Sequence, residues 1–287
     1  MSDVTDPLAA LGAQRDALLE GIVRALEGDP RVAAAWLLGS FGRGEADAWS
    51  DLDLHVVVAD EYLDAFLAER PALYTRVGEP VLVQDEMPSD VQEGARFQLV
   101  LYRGPVEVDW NIGPLGLARR PEASVVFFDR AGVPPFALPA LTPEQRRERA
   151  RDRLIFFWAM APIAVKYAGR GETRRVVRQV ELLTQAYISI WRLVHEPDGP
   201  EPWLPSTTNR MLERELDARL PVLGATIDPL SALAVIRALC AEVEALHPAL
   251  AALDMPLPTQ MPDEIRSIAA VAEDAIRRGN LPRRRFR

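Results

Sequence analysis

Asp51 and Asp53 stand two residues apart at the head of an apolar run, and Gly39-Ser40 lies ten residues upstream, at the end of the apolar run Trp36-Leu37-Leu38. Residues two apart along a β-strand share a face, so Asp51, Asp53 and His55 are expected on one side and Leu52, Leu54 and Val56 in a core. At roughly 3.3 Å per residue the two carboxylates would sit about 6 to 7 Å apart, a spacing that repels itself unless a cation lies between them. A hard dication with oxygen ligands, Mg²⁺ first among them, relieves the repulsion and keeps coordination positions for substrate phosphates. Gly39 lets backbone approach a ligand closely, and Ser40 adds a hydroxyl and an N–H suited to a phosphate oxygen. The competing reading is a plain turn followed by two solvated acids; against it, acids are depleted in strands and paired acids on one face cost stability.

Two strands joined by a glycine-rich turn and a short helical connection must position these groups. Val32 to Leu38 reads as the first strand and 51–58 as the second, with an amphipathic helix before them from Asp6-Pro7 to Gly28. Glu61 to Tyr74 reads as a helix outside the sheet and Pro80 to Gln84 as a strand. Arg96 to Tyr102 and Val106 to Ile112 read as a hairpin across Arg103-Gly104-Pro105, with Ser124 to Asp129 as a closing strand. In the second arm of the hairpin Glu107, Asp109 and Asn111 alternate with Val106, Val108 and Trp110, which places Asp109 on a polar strand face with Glu107 as its competitor.

An apolar residue, Gly-Ser, ten residues and then Asp-apolar-Asp-apolar, here Leu38-Gly39-Ser40 through Asp51-Leu52-Asp53-Leu54, resembles the signature of the DNA polymerase beta-like nucleotidyltransferase superfamily. The resemblance implies that Asp51 and Asp53, with Asp109 as a third acid, bind two Mg²⁺ ions, and that Gly39-Ser40 holds the triphosphate of ATP or another nucleotide. It also implies the fold class: an α/β nucleotidyltransferase domain, a small mixed sheet flanked by helices, followed by an all-α helical bundle.

Pro134-Pro135, Pro139 and Thr142-Pro143 mark a linker, after which long helical stripes take over. The expected division is a catalytic domain over 1–140 and a helical substrate-binding domain over 141–287. Leu154, Phe157, Trp158, Ala161, Val165 and Ala168 form one stripe, in which Pro162 predicts a kink. Val180, Leu183, Tyr187, Ile190 and Val194 form another, and further helices follow near 207–219, through Leu233 to Val243, and from Asp263 to Arg278. A helical domain of this size behind the catalytic one looks like the aminoglycoside- and lincosamide-type antibiotic nucleotidyltransferases. In those, a lysine and a carboxylate of the helical domain enter the cleft; Lys166 and Glu172 are the counterparts here, against the plainer reading of a solvated helix end. Arg43, beside the glycines, is a candidate for a phosphate contact or a solvated loop residue. His195, His247 and the tail Arg283 to Arg287 suggest no catalytic role, and Trp49 is either a pocket wall or core.

Composition narrows the alternatives. A chain of 287 residues with 48% hydrophobic and 26% charged residues is ordinary globular protein. It has no membrane-length apolar run, and Asp3 and Asp6 stand where a signal peptide would be basic, so a cytoplasmic location is expected. The lone Cys240 excludes a disulfide framework or a thiolate metal cluster. A net charge of −9 argues against a nucleic-acid track and agrees with a cationic small acceptor. The reaction expected from the resemblance is Mg²⁺-dependent transfer of a nucleoside monophosphate, AMP first, to a hydroxyl of a small molecule such as an aminoglycoside, with release of pyrophosphate. Asp109 or Glu172 would be the base. Transfer to RNA or protein, or a non-catalytic nucleotide sensor of the same fold, are the alternatives, and the cleft is completed either within the chain or by a neighbour in a homodimer.

Overall fold

The computed structural model describes residues 6–136, 139–204, 206–221 and 228–279. The chain divides into two compact units, Met1–Ala137 and Leu138–Arg287.

In the first unit Asp6 caps α1 (Pro7–Glu27) by accepting from Leu8 N at 3.1 Å, and Pro7 occupies the first turn, where a missing N–H costs nothing. There follow β1 (Val32–Leu37), the single turn α2 (Gly39–Gly42), β2 (Leu52–Val58), α3 (Leu63–Val77), β3 (Pro80–Val83), β4 (Met87–Pro88), β5 (Arg96–Tyr102), β6 (Val106–Pro114), β7 (Arg120–Pro121), β8 (Val125–Asp129) and β9 (Pro135–Phe136). The main sheet runs β3-β5-β6-β2-β1-β8, with β4 beside β5, and β7 and β9 form a separate small ladder. β2 and β6 are parallel at the centre; the other neighbours in the main sheet are antiparallel.

Alternation then sorts the side chains. Leu52, Leu54, Val56 and Val58 of β2 and Val108, Trp110 and Ile112 of β6 face α1 and α3, where Ile22, Leu26, Phe66, Leu73 and Tyr74 close the core. Trp110 meets the Tyr74 ring at 4.9 Å between centroids, and the Tyr74 hydroxyl donates to Gln98 Oε1 at 3.1 Å. The opposite face is mostly polar around a small patch of Ala34, Trp36, Val57, Ala118 and Val133.

In the second unit Thr142 and Gln145 form a capping box at the start of α4 (Pro143–Gly169), satisfying two N-terminal N–H groups reciprocally. The unit continues with α5 (Thr173–His195), α6 (Thr207–Arg219), α7 (Pro229–Ala245), α8 (His247–Ala251) and α9 (Met261–Arg277). The stripe from Leu154 to Ala168 is buried, and so are Val180, Leu183, Tyr187 and Ile190, with Val194 partly buried against them. α4 passes through Pro162 without interruption of the helix. The architecture is therefore a mixed α/β nucleotidyltransferase-like unit followed by an all-α bundle. No helix among the described residues is long and apolar enough to cross a membrane, and the tail Arg283 to Arg287 lies outside the described residues.

Candidate active site

Asp53 and Asp109 are register partners across the parallel β2–β6 pair, so their side chains leave the same sheet face from adjacent strands, whose spacing is about 4.8 Å. His55 and Asn111 are the next such pair on that face. Asp51 departs from the expected strand placement: β2 begins one residue later, at Leu52, and Asp51 is exposed. Its charge still contributes to raising the Asp109 carboxyl.

β1 delivers the Gly-Ser turn to the same place. Leu38 N donates to Asp53 O at 3.0 Å, and the chain then reverses through Gly39 at φ +57°, the left-handed region that favours glycine. A Cβ on Gly39 would lie 2.7 Å from Asp53 Cγ, so the turn and the Asp53 carboxylate are in close contact. Ser40 is buried, and its Oγ has no hydrogen-bond partner among the described residues. Arg43 closes the turn with its Nε donating to Glu45 Oε2 at 3.0 Å.

The Asp109 carboxyl is half-buried and its Oδ1 is buried without a hydrogen-bond partner. It is pushed up to about 6, first by burial and then by the charges of Asp53, Glu107 and Asp51. An unfolded aspartate titrates near about 3.9. The folded carboxyl thus holds its proton more tightly, and this contribution to stability is fully present below about pH 4 and lost as pH rises through about 6. In chelator-treated protein Asp109→Asn should accordingly be more stable than the parent at about pH 8 and equal to it at about pH 4. Urea melts at the two pH values check this; equal stabilities at both would mean that the carboxylate charge is already compensated.

Two carboxylates side by side, one of them with an orphaned buried oxygen, fit a hard dication. The fit is to Asp53 and Asp109 jointly. Among the described residues no group of three or more His, Cys, Asp and Glu side chains is assembled as a metal site by itself. The remaining ligands of a cation would have to come from water and phosphate oxygens, as is usual for Mg²⁺.

Beneath the acids lies a polar layer, to which Ser89 and Gln92 are brought from a loop. His55 is buried, stacks on Trp36 with ring centroids 5.9 Å apart, and meets Gln92 Oε1 through Nδ1 at 3.1 Å. Burial lowers its pKa to about 4, so it is neutral at physiological pH. Ser89 Oγ donates to Asn111 Oδ1 at 2.7 Å, which seats the 89–95 segment on this face. Period-two reading of β2 and β6 places His55 and Asn111 on this face, as found; nothing in a loop sequence marks Gln92. Trp49, with two readings open in sequence, is 74% exposed and is not core.

Lys166 and Glu172 belong to the second unit. Lys166 is exposed in the last turn of α4, and Glu172 is the N-terminal cap residue of α5, its Oε2 3.2 Å from Arg175 Nε.

Residues 18–94 match the nucleotidyltransferase domain family. The match spans the Gly-Ser turn and the Asp51-Asp53 pair and stops before Asp109, so Asp109 enters by register alone. No curated protein matches the chain. Among solved structures, an aminoglycoside 6-adenyltransferase from Bacillus subtilis aligns over 94% of this chain and 99% of its own, at 12% identity and a TM-score of 0.29. That likeness is too shallow to carry a substrate across. The nucleotidyltransferase domain match and the mixed sheet are consistent with nucleotide-transfer chemistry.

Proposed function

We propose that the chain transfers a nucleoside monophosphate from a nucleoside triphosphate to a hydroxyl of a small acceptor. The observation that carries this reading is the register pairing of Asp53 with Asp109 beside the Gly39-Ser40 turn. Asp53 and Asp109, with exposed Asp51 at the mouth, would hold Mg²⁺, which when bound supplies charge neutralisation for the phosphates and acidifies a hydroxyl. Ser40 Oγ, buried and without a hydrogen-bond partner among the described residues, would donate to a phosphate oxygen. The acceptor oxygen attacks the α-phosphorus, the bond to the bridging oxygen breaks, and pyrophosphate leaves. Asp109 is the first candidate to take the hydroxyl proton and Glu172 the second.

The net charge of −9 favours a cationic acceptor, with aminoglycosides first among them and ATP as the first donor. Pyrophosphate release should be measured from ATP and GTP with Mg²⁺ over a panel of aminoglycosides, lincosamides and RNAs. Release is expected with one class of small cationic acceptor. A chain whose melting temperature rises with Mg²⁺·ATP but which releases no pyrophosphate with any acceptor would be a nucleotide-binding module instead.

A further inference from the structure

Arg15 contacts the immediate chain neighbours of both halves of the candidate site. It projects from α1 and is buried, with 8% of its surface exposed. One terminal nitrogen donates to the carbonyl of Asp47 and, at 3.3 Å, to the carbonyl of Ser50, the residue preceding Asp51. The guanidinium lies over the ring of Phe41, the residue following Ser40, 4.9 Å from its centroid. Its charge is balanced by Asp16, whose Oδ1 accepts from Nε at 3.0 Å and from Nη2 at 2.8 Å. Gly12, one helical turn earlier and buried, brings α1 against Ala48 of the same loop.

The loop so held is itself a compact turn. Asp47 Oδ1 accepts from Trp49 N at 2.9 Å, and Ser50 Oγ accepts from Asp47 N at 2.9 Å. These bonds fix the loop's internal shape but not its place on the sheet. The contacts of Arg15 tie it to α1. A planar fork with several donors can satisfy two carbonyls, a carboxylate and a ring face together, which an ammonium cannot.

We propose that Arg15 is a positioning residue, a clamp that fixes the Gly39-Ser40 turn and the approach to Asp51-Asp53 relative to one another. The inference rests on the transfer reading above, and it assigns Arg15 no contact with substrate. Loss of the clamp lets the phosphate-binding turn and the acids drift apart, and a displacement of about 1 Å in such a site costs up to about a hundredfold in rate.

The test compares Arg15→Lys with Ile22→Val, a mild core truncation about two turns further along the same helix. Arg15→Lys should lower kcat by about ten- to a hundredfold, leave KM for the acceptor within about twofold, and speed amide hydrogen exchange over 44–51. Ile22→Val should lower the melting temperature without either change. If Arg15 served stability alone, the two variants would behave alike, with kcat per folded molecule unchanged. Unaltered kcat or unaltered exchange in Arg15→Lys overturns this inference only; absence of pyrophosphate release from the wild-type chain overturns the transfer reading, and the inference with it.

Discussion

Asp53→Asn should abolish nucleotide transfer while leaving the fold intact. The substitution keeps the shape of the side chain and removes one of the charges that burden Asp109, so the metal-free protein should lose no stability. What it removes is an anionic oxygen from the carboxylate pair that β2 and β6 bring into register. Removing mere outer-sphere partners of metal ligands typically costs about ten- to a hundredfold, and a direct ligand should exceed that range. Pyrophosphate release at saturating nucleotide and Mg²⁺, read beside a thermal melt, separates the two effects. Activity surviving with an unchanged melting temperature would sink the assignment of Asp53 as a metal ligand.

Gly39→Ala should damage both stability and activity, and a second glycine shows why. Gly39 and Gly44 both sit in left-handed backbone, at φ +57° and +70°, where a side chain costs about 1–3 kcal/mol. Around Gly44 there is nothing within 4 Å of an added Cβ, whereas at Gly39 the new atom would meet the Asp53 carboxylate. Gly44→Ala should therefore show the backbone penalty alone, with transfer kept within a few-fold of the parent. Gly39→Ala should add displacement of Asp53 and fall toward the activity of Asp53→Asn. Equal activities for the two alanine variants would show that the turn tolerates the collision without moving the acid.

Much of the framework was legible because it rests on local signals. Asp6-Pro7, Thr142-Pro143 and the period-two runs of β2 and β6 specify their elements through capping and alternation, which need only a few neighbouring residues. The partnership of Asp53 and Asp109 was legible only in part, since alternation gives the face of each strand but not the register that sets them side by side. Asp51 was placed one residue too far into the strand, a boundary difference that moves a carboxylate from the sheet face to solvent. Arg15 and Gln92 were not legible: an arginine on an amphipathic helix reads as surface, and its burial follows from a loop more than thirty positions away in sequence, |i−j| being 32 and 35 for its two carbonyl partners.

The parallel pairing of β2 with β6 also dictates when this site can come into being. Hairpin-linked strands can meet as soon as they are made, but β6 reaches β2 only after α3, β3, β4 and β5 have been laid down between them. Such a contact carries a large loop-closure cost and belongs to the slow, high-contact-order part of folding. The Gly-Ser turn and Asp53 thus lie within a local β1–β2 hairpin, while the carboxylate that completes them arrives late. A chain released before Val106 would carry the motif without the acid pair.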